Sequence, residues 1–187
     1  MIGSRFSLLT RMSAVIAVFG GVLVATGLYS TYTRSQVQVG GPYYRDIAQT
    51  KDLVADILPP PAYILEAYLL TFQIATSADP VERGQCIKRL KEAEDEFQDR
   101  KTYWSAHLAE SRMRATLVVD AARHAEDFFA IVRERFLPAV AAGRMDEARQ
   151  LATHELHDAY QQHRQNIDEV VALANQLNRD TEAAAEA

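Results

Sequence analysis

Residues 12–32 form an uninterrupted stretch without a charged side chain, MSAVIAVFGGVLVATGLYSTY, which follows Arg5 and Arg11. At about 1.5 Å per residue this stretch makes a helix about 31 Å long, which matches a bilayer core of about 30 Å. Positive charges on the short N-terminal side favour a cytoplasmic N-terminus, and Tyr29 and Tyr32 suit the opposite interface. We therefore predict a cytoplasmic stub at residues 1–11, a transmembrane helix at residues 12–33 and a domain at residues 34–187 outside the cytoplasm.

A cleaved signal peptide shares the basic start and the apolar stretch, and it is the alternative interpretation. The apolar stretch exceeds the usual signal-peptide core of about 7 to 15 residues, and no clean A-x-A-like cleavage site follows it. An uncleaved membrane anchor is therefore the preferred interpretation.

Composition argues against several classes of function. The net charge of −5 and the pI near 5.5 are opposite to the basic balance of a nucleic-acid-binding surface. Cys86 is the only cysteine, so an internal disulfide is excluded, and there is no C-x-x-C-H stretch for haem attachment. Because glycine-rich phosphate loops, G-x-S-x-G and H-E-x-x-H are also absent from the sequence, we predict a protein that is not an enzyme and has no cofactor.

Three segments carry apolar residues at alternating steps of three and four, a pattern typical of helices that pack nearly parallel. These seams are Ile87, Leu90, Glu94, Phe97, Lys101, Trp104 and Leu108; Leu117, Ala121, His124, Phe128 and Ile131; and Leu156, Tyr160, His163, Ile167, Val170, Ala174 and Leu177. We expect the polar seam residues to have partners, since buried charge or imidazole requires them.

The helix boundaries are also marked in the sequence. Asp79, Pro80 and Glu82 have the spacing of a capping box, so a helix should begin at Pro80, and Gly143 suits the left-handed residue that ends a helix. We place the turn between these two helical regions near residues 107–111, and we expect the last helix to run from residue 144 to residue 187.

A fourth helix is expected between residues 34 and 76, with a break near Leu58. Its seam is Ile47, Thr50, Val54 and Ile57, followed by Ile64, Tyr68 and Thr71. Pro59, Pro60 and Pro61 stand between the two parts and remove three backbone donors. The predicted fold is therefore all-α: an N-terminal transmembrane helix followed by an up-and-down four-helix bundle with a proline break in its first helix.

The segment FLPAVAAGRMDEARQL at residues 136–151, together with this architecture, resembles the four-helix-bundle extracytoplasmic sensor domain of methyl-accepting chemotaxis receptors. The resemblance implies a homodimeric small-molecule sensor in a bacterial inner membrane, with the bulk of the chain periplasmic. That family usually continues into a second membrane helix and a cytoplasmic signalling part. The sequence ends at Ala187 without them, so we expect either a truncated receptor or a single-pass relative.

The proline break is the candidate ligand site, because the amides that follow it open a new helix N-terminus, which attracts anions. The residues predicted to bind ligand are Tyr44, Arg45, Lys51, Asp56, Tyr63, Glu66 and Tyr68, with Pro59, Pro60 and Pro61 as the hinge. In the alternative interpretation the prolines merely bend the helix, Tyr68 lies in the core and the charged residues are solvated.

The sequence thus predicts a membrane-anchored chemoreceptor-type sensor that binds a small carboxylate or an amino acid and passes a helix displacement toward the membrane. The identity of the ligand stays open. One alternative is a structural or protein-interaction bundle without a small-molecule ligand, and another is an electron-transfer bundle with histidine or methionine as haem ligands. His154 and His157 have a spacing that can reach one metal ion, but no matching second motif is present, so we predict no metal site.

Overall fold

A computed structural model of the protein describes residues 8–37, 42–57 and 64–186, with side chains for residues 11–34, 47–55 and 64–184. These residues are helical and contain no strand, which confirms the all-α class. The helices are α1 (Leu8–Val37), α2 (Pro42–Ile57), α3 (Leu65–Thr76), α4 (Pro80–His107), α5 (residues 112–141), α6 (Met145–Thr153) and α7 (Glu155–Glu186). The chain divides into two units, one of which contains α1 while the other comprises Gln49–Asp180.

Helix α1 is long and apolar enough to cross a membrane. Its membrane-compatible part is Arg11–Arg34, of which no residue is buried within the protein. A helix of this length spans about 36 Å at 1.5 Å per residue. Its threonine hydroxyls bond to carbonyls of their own helix, as Thr26 does to Val22 at 2.8 Å and Thr33 to Tyr29 at 2.6 Å. These threonine hydroxyls are therefore satisfied without water, which suits a hydrocarbon environment.

The predicted start of α4 at Pro80 is confirmed, with a different use of the capping residues. The Asp79 carboxylate accepts a 2.8 Å hydrogen bond from the Val81 amide, as expected of an N-cap. Glu82 does not reach back to the Asp79 amide. Instead it accepts a 2.6 Å hydrogen bond from the Ser77 hydroxyl, and the Asp79 amide donates to the same hydroxyl at 3.2 Å. The Asp79 amide therefore donates to the Ser77 hydroxyl and not to the Glu82 carboxylate, which is the acceptor in a capping box.

The last helix is interrupted, although the sequence predicted one continuous helix from residue 144 to residue 187. Gly143 has a positive φ of 75°, as predicted for a helix end. Helix α6 then stops at Thr153, and His154 has φ −120° and ψ −84°, outside the helical region, before α7 begins at Glu155. The His154 amide still bonds to the Gln150 carbonyl at 3.1 Å. The interruption is therefore a one-residue kink rather than a loop.

Within Gln49–Asp180, the larger core cluster, here the aromatic cluster, takes residues from α3, α4, α5, α6 and α7. Its largest side chains are Tyr68, Phe97, Phe128, Phe129, Phe136 and Tyr160. The Tyr68 ring stacks on the Tyr160 ring at 4.4 Å between centroids, and Phe128 meets Phe129 edge to face at 5.3 Å. Such aromatic pairs add to the stabilisation that burial itself provides.

A second core cluster, here the tryptophan cluster, is smaller and takes residues from α2, α4, α5 and α7. Its members are Leu53, Trp104, Leu108, Leu117, Ala121, Ile167 and Val170. Leu53 is fully buried, so the second half of α2 packs in this cluster, whereas α3 packs in the aromatic cluster. Residues 58–63, which include the three prolines, lie outside the described residues, and the predicted break stays a prediction.

Two of the seams are nearly as predicted, and the third is displaced. Leu156, Tyr160, His163, Ile167, Val170 and Ala174 are all buried along α7, although Leu177 is 43% exposed. In α5 the prediction is correct at Leu117, Ala121 and Phe128 but wrong at His124 and Ile131, which are only half-buried. Beyond Ala121 the buried residues include Ala122, Ala125, Phe128, Phe129, Val132 and Phe136.

The displacement in α5 has a local cause. Along α5 the α-helical segments Arg112–Ala115, Ala122–Ile131 and Leu137–Ala141 alternate with π-helical segments Thr116–Ala121 and Val132–Phe136. The Ala122 amide bonds to the Leu117 carbonyl five residues earlier, rather than four. One extra residue is thus accommodated in this turn, and the inward-facing seam beyond it moves one residue along the sequence.

Candidate functional site

Most of the predicted ligand-binding residues belong to parts of the chain where side chains are not described. Tyr44, Arg45 and Asp56 lie in α2, but their side chains fall outside the described residues, and so do Tyr63 and the three prolines entirely. Their assembly into a site therefore stays a prediction. Lys51, Glu66 and Tyr68 are described, and each has a different environment.

Glu66 forms an ion-pair network between α3 and α4. Arg89 donates two hydrogen bonds to its carboxylate, both 2.7 Å long, and also pairs with Glu96 at 2.7 Å. The hydrogen bonds to Glu66, followed by those to Glu96, raise the pKa of Arg89, and the hydrogen bond from Arg89 lowers the pKa of Glu96. Because the bidentate pair fixes the geometry of Glu66, this carboxylate holds α3 against α4.

Tyr68 lies in the aromatic cluster and is 9% exposed. Its hydroxyl is hydrogen-bonded to Nδ1 of His157 at 2.7 Å, and its ring also meets Phe72 edge to face at 5.0 Å. Burial, reinforced by Tyr160 and Asp158, raises the pKa of Tyr68. This position is the one that the alternative interpretation of the sequence gave to Tyr68.

The remaining described residue, Lys51, is exposed on α2 and precedes Asp52, which lines a groove between α2 and α4. The groove has a volume of about 300 Å³ and is lined by Asp52, Ala55, Arg100, Tyr103 and Trp104. Its volume is at the lower end of the range typical of small-molecule sites. It lies over the tryptophan cluster, to which Trp104 and Leu53 belong.

The wall of the groove on α4 is an aromatic shelf that its neighbours hold in place. The Tyr103 ring stacks on the His107 ring at 4.0 Å and meets Trp104 edge to face at 5.0 Å. The amide group of Gln49 on α2 donates a 2.5 Å hydrogen bond to the His107 carbonyl, which ties the two helices together at one end of the groove. The shelf is therefore positioned before any ligand arrives.

The groove presents opposite charges on its two walls. The Arg100 guanidinium lies 5.7 Å from the centre of the Tyr103 ring, a cation–π arrangement, and Asp52 contributes a carboxylate from α2. A guanidinium matches a carboxylate geometrically, while a carboxylate and an aromatic face both attract an ammonium group. This combination suits a small ligand that carries a carboxylate, or a carboxylate together with an amine.

Among the polar seam residues, Glu94, Lys101 and His163 have partners on other helices, as we expected, whereas His124 is half-buried and meets the neighbouring Arg123 side chain at 3.5 Å. Glu94 pairs with Arg133, and Lys101 pairs with Glu126, in both cases between α4 and α5. His163 is hydrogen-bonded through Nδ1 to the Ala121 carbonyl at 2.8 Å. These contacts fix the relative register of α4, α5 and α7.

A second cleft, of about 350 Å³, lies beside the kink and is lined by Arg135, Glu147, Gln150, Leu151, His154 and Glu155. Arg135 is paired with Glu155 across it, and it has no aromatic wall. In the part of the chain with described side chains, no three histidine, cysteine, aspartate or glutamate residues are placed to hold a metal ion. The groove between α2 and α4 is therefore the better candidate site.

The residues that line the groove are not among those predicted to bind the ligand. Trp104 was assigned to a helix seam, correctly, but Arg100 and Tyr103 were not singled out. Adjacent residues of a helix point about 100° apart. Trp104 occupies the seam and Tyr103 lies at its edge, where it is 43% exposed.

Comparison of the chain with protein-family models, with curated proteins and with solved structures finds no match.

Proposed function

We propose that this protein is a membrane-anchored sensor, similar in type to the extracytoplasmic domain of chemotaxis receptors, and that it binds a small carboxylate or an amino acid. The observation that carries the proposal is the groove between α2 and α4, where Arg100, Asp52 and an aromatic shelf line one space. The sequence resemblance and the apolar helix α1 support it independently.

The proposed architecture is a four-helix bundle whose first helix is α2 followed by α3. Supporting this, both clusters are built from one segment of this pair together with α4, α5 and the α6–α7 region. The segment is α3 in the aromatic cluster and α2 in the tryptophan cluster. The three prolines fall between the two segments, where a break would redirect the helix.

The ligand would act by favouring one of two packings of the helices, since a ligand shifts an equilibrium only through its different affinity for the two states. Binding between α2 and α4 would change how these helices pack against each other. We further propose that a homodimer in a bacterial inner membrane, with residues 34–187 in the periplasm, carries the displacement toward the membrane.

The ligand proposal is tested by thermal unfolding of the full chain in detergent micelles, with the individual amino acids, succinate and acetate as additives. A compound that binds only the folded protein raises the midpoint in a concentration-dependent way. We expect a rise with one carboxylate-bearing class, and loss of the rise in Arg100→Gln. The matched control is Arg123→Gln, which removes an exposed arginine outside the groove and should respond as the wild type does.

No rise with any compound, or an equal rise in Arg100→Gln, would contradict the proposal and favour a structural or protein-interaction bundle. The topology is tested separately by fusing alkaline phosphatase to the C-terminus, because that enzyme is active only outside the cytoplasm. Activity of the fusion supports a periplasmic domain, and an inactive fusion that is present at full length contradicts it.

A further inference from the structure

The π-helical segment Thr116–Ala121 lies against a small cavity beneath the groove. The cavity holds roughly one water molecule, and its lining includes Arg100, Trp104, Leu117, Val118 and Ala122. Arg100 and Trp104 line both the groove and this cavity. The side chain of Trp104 thus stands between the candidate ligand site and the irregular turn of α5.

The first half of α5 has an unusual distribution of apolar side chains. Leu117 is 8% exposed and faces the tryptophan cluster, Val118 is half-buried, and Val119 is 61% exposed. Successive residues of a helix point about 100° apart, so these three consecutive apolar side chains cover a wide arc of the helix surface. In any one register of the helix, only some of them can face the core.

A second register follows from the same residues. If the turn became α-helical, counting back from Ala122 by four and then by three would place Val118 and Ala115 on the inward face. Val118 would replace Leu117 in the core, and Val119 would move from an exposed position to the edge of the core. Each register therefore buries one branched apolar side chain at this level of the core, Leu117 in the described register and Val118 in the other.

The two ends of the affected segment differ in how firmly they are held. Beyond Ala122, the buried rings of Phe128 and Phe129 fix the register of α5 in the aromatic cluster. Before it, Leu117 and Ala121 are buried, and the Ala121 carbonyl is hydrogen-bonded to His163 at 2.8 Å. The start of α5 is held less firmly, by an exposed pair of Arg112 with Glu169 at 2.6 Å and by a partly buried hydrogen bond from Arg114 to the Ser105 carbonyl at 2.9 Å. A change of register is therefore absorbed by the residues before Ala121.

We propose that residues 112–121 of α5 switch between these two registers at the π-helical segment, and that Trp104 links the switch to the groove. A ligand that moves Trp104 toward the cavity presses on Leu117 and Val118 and favours one register. The link to a ligand rests on the function proposed above. The two registers themselves do not, so they are tested without ligand.

The test is amide hydrogen exchange of the full chain in detergent micelles, resolved for residues 112–121 and 122–131. In the wild type we expect the amides of residues 112–121 to exchange at least about tenfold faster than those of residues 122–131, because a local rearrangement opens the first segment without global unfolding. Deletion of Val119 leaves Leu117 four residues before Ala122, so an ordinary α-helix then keeps Leu117 inside. This variant should slow exchange at residues 112–121 to that of residues 122–131.

The matched control is deletion of Arg123, an exposed residue in the regular part of α5. It displaces the buried phenylalanines by one residue, so we expect its unfolding midpoint to fall by more than about 10 °C, against less than about 5 °C for deletion of Val119. An equal fall in the two deletions would contradict the presence of one extra residue in this turn.

A substitution tests the switch without shortening the chain. In Val119→Glu the carboxylate is exposed to solvent in the described register but lies at the edge of the core in the other, so the described register is favoured. Exchange at residues 112–121 should then slow, with the unfolding midpoint unchanged. Trp104→Leu should speed exchange at residues 112–121 and leave residues 122–131 unchanged. Unchanged exchange in Val119→Glu would contradict the switch, and unchanged exchange in Trp104→Leu would contradict the link to the groove.

Discussion

The aromatic cluster and the tryptophan cluster both take residues from α4, α5 and α7 but differ in how completely they are filled. In the aromatic cluster, rings pack against rings, as Tyr68 does on Tyr160 and Phe97 on Phe129 at 5.7 Å. The tryptophan cluster has one large side chain, Trp104, with a groove on one side and a cavity on the other. From this difference we infer that the aromatic cluster stabilises the fold, whereas the tryptophan cluster leaves space in which side chains can move.

The packing density of each cluster predicts how much a substitution in it lowers the free energy of unfolding. A densely packed interior cannot close the space left by a lost ring, so the cavity adds to the lost burial. An interior that already borders a groove and a cavity has neighbours that can move. Four substitutions measure this difference, and each is assessed by unfolding of the full chain in detergent micelles.

Phe128→Ala, in the aromatic cluster, should have the largest effect. Phe128 is fully buried and its ring contacts Phe129 and Tyr68. We expect a loss of about 3 to 5 kcal/mol in the free energy of unfolding, measured by urea titration. Leu69→Ala, on the exposed side of α3, is the control and should cost less than about 1 kcal/mol. Equal losses in the two variants would contradict the assignment of Phe128 to the core.

Leu53→Ala tests the tryptophan cluster from the α2 side. Leu53 is as deeply buried as Phe128, but its neighbours border open space and can partly close around the lost side chain. The expected loss is about 2 kcal/mol, at the low end for a buried leucine. Lys51→Ala, two residues earlier and exposed, should change stability by less than about 0.5 kcal/mol. A loss larger than that of Phe128→Ala would reverse the comparison.

Tyr68→Phe keeps the ring and removes only the hydroxyl that bonds to His157. We expect a loss of about 1 kcal/mol near neutral pH. Because the pKa of Tyr68 is raised in the folded protein, the stabilisation from its neutral form is present below the unfolded pKa of about 10 and is lost as pH rises through the folded pKa. The wild type should therefore lose more stability than Tyr68→Phe above about pH 10, and parallel pH profiles would contradict this account.

Arg89→Met should have the smallest effect, because the side chains of the Glu66, Arg89 and Glu96 network are about one-third exposed or more. After solvent screening we expect a loss of about 0.5 kcal/mol at pH 7. The lowered pKa of Glu96 means that its stabilisation is present above the unfolded pKa of about 4.3 and is lost as pH falls through the folded pKa. The difference between Arg89→Met and the wild type should thus shrink on acidification. A difference that grows would show that the network acts in another way.

Local signals in the sequence were sufficient for the helix ends and for much of the core. Pro80 begins α4, Gly143 ends α5 with a positive φ, and the seam of α7 is buried from Leu156 to Ala174. These features depend on a few neighbouring residues or on a regular period. They could therefore be predicted from the sequence alone.

The features that were missed are departures from regular α-helix and one arrangement of distant segments. A count of residues at steps of three and four assumes regular α-helix, so it could not anticipate the extra residue in Thr116–Ala121 or the kink at His154. The groove was not predicted because Asp52 and Arg100 are far apart in sequence and come to line one space only after α2 has packed against α4. Lys51, Glu66 and Tyr68, the predicted site residues whose side chains are described, do not line this groove.

The most direct test of the ligand site is the fluorescence of Trp104, the only tryptophan in the chain, in full-length protein titrated with amino acids and small carboxylates. If the groove is the ligand site, one class of compound will produce a saturable change in the Trp104 emission, absent in Arg100→Gln and retained in Arg123→Gln. If the folded protein keeps the same emission with every compound, or if Arg100→Gln responds as the wild type does, the groove is not the ligand site.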